Sequence, residues 1–503
     1  MNGDQEYEIK ADTDKVGPFI RIRSLNKAKH FAIYRTFTKR FPNGEEINLK
    51  IHEDIKDILV KSIEKKGITE GFILKFNEND EYSDFTENDE YSDFTENKIE
   101  PEDIRHVSGS SEKNFTSTGA KLNAHWPIFW KLNETGFGSI IRATLTLHQV
   151  CSSRCQFCST INRNKKDTTS FEETKEFIEK LYFDQAEYNK KHFSKYNDRY
   201  KELTGSDIRL RGIILSGGGQ PNLWPHFEKL VNWLSTLDID IGLITNGFPK
   251  NIDDKIYDKF KWIRLSVTPE DASPHYVDNK FNLQRIPQNI IDNKKTFFGL
   301  SYVYGSWTNE DILKRLSLQV NEWKLDYIRM LTDCNLTRSE QLKSHKILAD
   351  KLYNLSIIDK DGNNTGKIFH QLKFHGTQNE AEELWSDGKC FLQTYNLFWD
   401  TTGHETNGKS FCYPCDSVTV LAEENTRQQS KRGFDGNVWG TVTNDKVELL
   451  FKEKWKKFFD PRKHCSACLF MKNNRIVKNL TNTNLDELNE IKIDKDLEHI
   501  NFP

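Results

Sequence analysis

From about residue 139 the chain alternates short apolar runs with amphipathic stretches. The apolar runs are "SIIRATLTL", "DIRLRGIILS", "IDIGLIT", "KWIRLSV", "FFGLSYVYG" and "DYIRML", most of them rich in Ile, Leu and Val. Helical periodicity fills the intervals at 170–200, 223–236, 252–260, about 283–295, 309–323 and 337–356. The first of these opens with "SFEE", a capping box in which Ser170 is the N-cap and Glu173 lies three residues on. Alternating strands and helices predict a parallel sheet with helical crossovers, the α/β class. Six such units make a partial (β/α)6 TIM-type barrel, two short of the complete eight. In such folds the functional residues gather at the C-terminal ends of the strands.

The flanking regions read differently. Residues 1–137 form an α+β N-terminal region of no assigned fold. "FIRIRSL", "HFAIYRTF" and "EEINLKI" read as strands there, and "EDIKDILVKSIEKKG" as a helix ended by Gly67. Inside it, residues 79–96 are a tandem copy of nine residues, acidic and without core periodicity, which reads as a duplicated surface insertion rather than a recognition segment. The barrel is expected over 138–360 and a further domain over 361–475, with "SVTVLAE" as a strand and "VELLFKEKWKKFF" as a helix. Residues 476–503 are polar and charged, and read as a surface helix or a partly disordered tail.

Composition narrows the function classes. The 503 residues carry a formal net charge of −3, which gives no support to a general nucleic-acid or membrane-surface role and leaves only a local basic patch open. No run of about 18 apolar residues is present, so no membrane helix is expected. The start, "MNGDQEYEIKADTDK", lacks the apolar core of a secretory signal, and a cytoplasmic, reducing location is expected. Nine cysteines in such a compartment point to metal ligation or catalysis rather than disulfides.

Three of the nine fall within "HQVCSSRCQFCST", residues 148–160, as Cys151, Cys155 and Cys158, directly after the first barrel strand. Thiolate is the metal-binding form of cysteine, and iron–sulfur clusters are usually held by four. A loop with three can wrap one 4Fe–4S cubane and leave one iron open, and an open position is what catalysis needs. The competing readings are a structural zinc site that borrows His148, which the spacing does not match, and three unrelated packed cysteines.

"CSSRCQFC" resembles the cluster motif of the radical S-adenosylmethionine superfamily, including the aromatic Phe157 before the last cysteine. The resemblance implies that S-adenosylmethionine chelates the open iron. An electron from a donor such as flavodoxin or ferredoxin then cleaves it to a 5′-deoxyadenosyl radical, which abstracts hydrogen from substrate. "ILSGGGQP", 214–221, stands where that family has a Gly-Gly-Glu-type motif, so Ser216, Gly217, Gly218, Gly219 and Gln220 are candidate cofactor contacts. Gln220 replaces the usual Glu. "LITNG", 243–247, and "RLSV", 264–267, resemble the family's third- and fourth-strand ends. They add Thr245, Asn246 and Ser266, with Ser266 toward the ribose. Ordinary turn and cap chemistry is the alternative for these three.

Cys390, Cys412, Cys415, Cys465 and Cys468 form a second set, with Cys334 apart and read as a packed residue. "FCYPCD" and "KHCSACLF" each hold a C-x2-C, and two such pairs can make a zinc site, but about fifty residues separate them, beyond the usual ribbon gap. The order Cys390, Gly408, Cys412, Gly436 with Asn437, a helix, then Cys465 and Cys468 resembles the SPASM and twitch auxiliary-cluster domains of radical enzymes. The first Cys-to-Gly interval is longer than usual and no C-x5-C-x3-C run follows. The resemblance implies one auxiliary 4Fe–4S cluster, with one of the five cysteines spare and its identity open. The expected activity is oxidation or crosslinking of a peptide or protein. The alternatives are a nucleotide, tRNA or sugar substrate, for which the lysine-rich "YNKKHFSKYNDRYK" would suit phosphates, and a non-enzymatic iron–sulfur or zinc scaffold.

Overall fold

The computed structural model describes residues 112–115, 119–130, 132, 138–247 less five positions, 253–267, 288–333 less one, 336, 338–358, 367–370, 388–415, 447 and 470–503. It also describes the backbone of five strands before residue 77. The helix expected at 53–67, the tandem repeat, Cys334, Cys465 and Cys468 lie outside the described residues. The chain divides into two compact units, Met1–Lys98 and Ile99–Pro503. The boundary thus falls earlier than residue 137, because Leu122, Trp126, Ile128 and Phe129 are fully buried among residues of the second unit.

The first unit holds an antiparallel sheet of β1 (Tyr7–Asp14), β2 (Gly17–Ser24) and β3 (Phe37–Arg40), in that order, and a separate parallel pair, β4 (Glu45–Leu49) with β5 (Phe72–Phe76).

The second unit is built on a nine-stranded, mostly parallel sheet in a mixed α/β fold. All six expected strands are present as β6 (Arg142–Leu145), β7 (Gly212–Leu215), β8 (Asp240–Thr245), β9 (Trp262–Val267), β10 (Phe297–Tyr304) and β11 (Tyr327–Thr332). They lie side by side in chain order and all parallel. β7 is buried at every residue, as a parallel strand covered on both faces must be.

Six strands are not the whole sheet. β12 (Ile368–His370) adds parallel to β11. On the other edge β13 (Asn396–Asp400) adds parallel to β6, and β14 (Phe411–Tyr413) pairs antiparallel with β13. Residues 396–413, expected in a separate C-terminal domain, therefore continue the parallel sheet. The driving force is burial: all five residues of "NLFWD" are buried, with the Trp399 ring stacked on Phe177 at 5.0 Å.

The long helical stretch after the cysteine loop breaks into Phe171–Glu179, a π turn Lys180–Asp184, Gln185–His192 and Ser194–Thr204, the last capped by Gly205 in the left-handed region. Its polar residues include structural anchors. Buried Gln185 bonds both the N–H and the C=O of Ile140 at 2.9 Å, and Asn189 donates to Ser139 Oγ and Ile208 O. The lysines of this stretch sit on the outside of a helix whose inner face holds the entry to β6.

The polar C-terminal stretch is no loose tail. Helix Met471–Asn482 buries Val477 and Leu480 in the same cluster as Trp126, Tyr200 and Tyr395. Beyond it, Phe502 packs edge-on to Trp262, Asn501 donates to Asp240, His125 bonds the Ile500 carbonyl, and Arg142 donates to the Pro503 carbonyl. Trp262, Asp240 and Arg142 each begin a strand, so these residues close the N-terminal end of the sheet. The charges at 490–498 are local, whereas Phe502 is buried to 4 % exposure.

Candidate active site

β6 ends at Leu145, and the chain leaves its C-terminal end through Thr146–Val150 into the three-cysteine loop. Directly beside it, β7 ends at Leu215 and turns through Ser216-Gly217-Gly218-Gly219. The two connections are pressed together. A Cβ on Gly217 would overlap the Thr146 side chain, one on Gly218 the Gln149 amide, and one on Gly219 the backbone of His148 and Val150. Gly217 also has φ +123, which side-chain-bearing residues rarely adopt. The glycine run is thus a bed on which the base of the cysteine loop lies.

Hydrogen bonds seal the contact. Gln220 N–H donates to Val150 O at 2.7 Å, His148 Nε2 bonds Gln220 O at 2.7 Å, and Thr160 Oγ1 reaches Gly218 O at 3.5 Å. Burial lowers the His148 pKa, opposed by that carbonyl bond, and with a carbonyl as partner the Nε2 is the donor. His148 is thereby engaged in the loop's own architecture.

Gln220, Thr245 and Asn246 join one buried network. Gln220 accepts from Ser152 Oγ at 3.0 Å and donates to Asn222 Oδ1 at 2.7 Å. The same Asn222 oxygen accepts from Thr245 Oγ1, which in turn accepts the Gly247 N–H. Asn246 donates to Ser152 Oγ and Ser153 Oγ at 3.0 and 2.7 Å. An amide at 220 supplies a donor to one neighbour and an acceptor to the other, which an ionised Glu cannot do. The ends of β7 and β8 are therefore tied to the two serines of "CSSRC". Ser152, Ser153 and Asn222 were not singled out from sequence. The serines were visible inside the motif, whereas nothing local marks Asn222.

Cys151, Cys155 and Cys158 are each partly exposed. Cys158 N–H closes a turn onto Cys155 O at 3.1 Å, Ser153 N–H lies 3.4 Å from Cys151 Sγ, and Arg163 Nη1 donates to Cys158 Sγ at 3.2 Å. Among the described residues no three Cys, His, Asp or Glu side chains converge on one point as a bound ion requires. The donor set nevertheless fits a cluster. It offers three accessible sulfurs within eight residues, on one loop, with N–H donors to two of them, and hydrogen bonds to sulfur are among the terms that set a cluster's potential. Phe157 faces Trp307 beyond β10, ring centroids 5.4 Å apart. Ser216 follows β7 with its N–H on Leu145 O, and Ser266 lies in β9 in register with Ser301 of β10. All these residues lie at or near the C-terminal ends of β6 to β10.

Both limbs of the cysteine loop are braced from far along the chain. Gln149 donates to Asp400 Oδ1 at 3.0 Å, and the Asp167 carboxylate accepts the N–H of Gly403 and of Glu405, both at 2.8 Å. Ser170 caps its helix as expected, accepting Glu173 N–H at 3.0 Å, but the Glu173 carboxylate turns to Thr169, His404 and the Ser410 N–H. Burial alone would raise the Glu173 pKa, and those three bonds outweigh it and hold the group below its usual value.

Of the second cysteine set, Cys390 and Cys412 are buried and Cys415 is partly exposed.

No family model and no curated protein matches this chain. Among solved structures it is similar to Streptococcus suis SuiB bound to S-adenosylmethionine, at 12 % identity and TM-score 0.39, over 68 % of this chain and 74 % of that one. SuiB bound to its precursor peptide SuiA matches at 12 % identity and TM-score 0.38, over 90 % and 89 %. BtrN in complex with AdoMet and 2-DOIA matches at 9 % and 0.25, over 65 % and 89 %. These likenesses are distant, and the chain's own residues define the site.

Proposed function

We propose that this chain is a radical S-adenosylmethionine enzyme, with a 4Fe–4S cluster on Cys151, Cys155 and Cys158. The observation that carries the reading is the incomplete three-cysteine loop, seated on a glycine bed at the C-terminal ends of adjacent parallel strands. When bound, the cluster and S-adenosylmethionine would supply one-electron cleavage and a hydrogen-abstracting radical.

The protein's own share is orientation. The glycine bed fixes the height of the cysteine loop above β7. The Gln220–Asn222–Thr245 network and Asn246 hold the loop's serines, so the loop and the ends of β7 and β8 move as one body. The Phe157–Trp307 contact walls the loop on the β10 side, with Ser266 on the strand between. An electron donor of the flavodoxin or ferredoxin kind would meet the partly exposed cysteine loop. We take the substrate to be a peptide or protein that is oxidised or crosslinked. A first unit with its own three-stranded sheet offers edge strands to which a peptide can add. An auxiliary 4Fe–4S cluster on cysteines of the 390–468 set would serve as the substrate's electron acceptor.

The test is anaerobic reconstitution followed by an iron count and a dithionite-driven assay for 5′-deoxyadenosine. About eight irons per chain are expected for two cubanes, with product abolished in Cys155→Ala. Product that persists in that variant would overturn the assignment.

A further inference from the structure

The cysteine loop carries its own cation. Arg163 lies five residues after Cys158, at the start of the return limb. Its Nη1 sits among three acceptors: Cys158 Sγ at 3.2 Å, Thr160 Oγ1 at 2.7 Å and Thr160 O at 2.9 Å. The backbone repeats the grip, since Arg163 N–H also donates to Thr160 O at 3.3 Å. The turn from Thr160 to Arg163 thus folds the guanidinium back onto the last cysteine.

Thr160 links this clamp to the glycine bed. Its hydroxyl lies 3.5 Å from Cys158 Sγ and 3.5 Å from Gly218 O. While it accepts from Arg163, it keeps its one hydrogen to offer to either of them. The place of the guanidinium is therefore set by the end of β7 as well as by the loop.

Arginine does not deprotonate in proteins, so position 163 is a fixed positive charge. Among the described residues no carboxylate pairs with it. The nearby acids of the brace are engaged elsewhere: Glu405 with Lys166 at 2.9 Å and with Asn164, and Asp167 with the N–H groups of Gly403 and Glu405. Arg163 Nε is buried and has no hydrogen-bond partner among the described residues. Partial burial of an unpaired charge costs free energy, which negative charge at the sulfur it touches would offset.

Cysteine ligates as thiolate, and reduction adds one more negative charge to whatever the thiolates hold. A cation at hydrogen-bond distance from one ligand favours the more negative, reduced state. Net charge and hydrogen bonds to sulfur are among the terms that set a cluster's potential. The neutral Ser153 N–H, 3.4 Å from Cys151 Sγ, contributes less, because charge-assisted bonds are the stronger kind.

We infer that Arg163 raises the reduction potential of the cluster on Cys151, Cys155 and Cys158, acting through the Cys158 sulfur. This rests on the cluster of the proposed function. Arg163 keeps its protons throughout and changes only how readily the donor's single electron enters. The same charge lowers the reducing power then available for cleaving S-adenosylmethionine, so position 163 sets the balance between electron entry and cleavage.

The test is an EPR-monitored redox titration of the full chain, reconstituted without oxygen. The signal followed is the one that Cys155→Ala abolishes. Arg163→Gln and Arg163→Met remove the charge, and either serves if the other is unstable. Arg163→Lys keeps it. In the neutral variants the ratio of reduced to oxidised cluster at a fixed potential is expected to fall about tenfold, a midpoint lower by about 59 mV for one electron. Arg163→Lys is expected to move less. An unmoved midpoint in the neutral variants would overturn the inference, as would an equal shift in Arg163→Lys, because the charge would then not matter. Neutral variants that fold but take up no cluster at this loop would overturn it too, and make Arg163 a residue of loop assembly. If Cys155→Ala removes no signal from the wild-type spectrum, the cluster on this loop itself fails, whatever Arg163 does.

Discussion

Gly217 shows how one missing side chain sets the height of a whole loop. Its φ of +123 and the Thr146 side chain in the place of a Cβ leave no room for alanine without displacing the base of the cysteine loop. Gly205, at φ +75 with nothing within 4 Å of its would-be Cβ, is the internal control, where alanine meets only backbone strain. Gly205→Ala should cost about 1–2 kcal/mol. Gly217→Ala should cost more, because overlap adds about 1–3 kcal/mol, and it should also lower iron incorporation on reconstitution. Urea unfolding of both variants checks this, and equal losses would show that the nest is not tight. Sequence made the glycine triplet visible but assigned it to the approach of a cofactor. What the glycines adjoin, one to five residues past the end of β6, depends on the strand register of β6 with β7 and has no local signal.

At the scale of elements, the strand-and-helix rhythm was legible because each of the six central parallel strands carries its own apolar run. Six of nine strands were read in order on that basis. β12 was missed as a three-residue strand, and "NLFWD" of β13 because its apolar run stood apart from the barrel and was grouped with the later cysteines. The segment that follows β13 is the element that braces the cysteine loop. Asp400, the last residue of β13, is buried, which pushes its carboxyl up to about 6, while hydrogen bonds from Thr402, Thr401 and Gln149 partly offset this. A carboxyl whose folded value lies above its unfolded 3.8 binds more protons folded than unfolded between the two values. Its contribution to stability is thus full below about pH 4 and is lost as pH rises to about 6, an effect of up to roughly 3 kcal/mol. Asp400→Asn should remove that decline. Denaturant midpoints of the cluster-free protein from pH 4 to 7 are the measurement, and parallel curves for both proteins would refute the assignment. Glu173, on the facing helix, works in the opposite sense, since its folded value is depressed and its stabilisation fades as pH falls.

Across the whole molecule, the last described residues close the N-terminal end of the sheet, and the candidate site lies at the other end. Phe502 packs on Trp262 and Ile214, far from any cysteine of the first loop. Phe502→Ala should destabilise by about 3–5 kcal/mol through the cavity it leaves, with iron content per folded chain unchanged. Thermal melting beside iron analysis of the soluble fraction separates the two effects, and loss of iron without loss of stability would contradict this division of labour. Polarity hid this role in the sequence, because the apolar residues of 499–503 are too few to show a period. Among the described residues no helix is long and apolar enough to cross a membrane.

The brace on the cysteine loop has a consequence for the order of synthesis. Gln149 and Asp400 are 251 positions apart. On a ribosome adding roughly 5–20 residues per second, roughly 10–50 s pass between the two. During that interval the three thiols exist without the segment that steadies their loop. If the loop holds the proposed cluster, its finished target would exist only after β13 has been made, and iron offered to the nascent chain before then would meet a loop still lacking its far support.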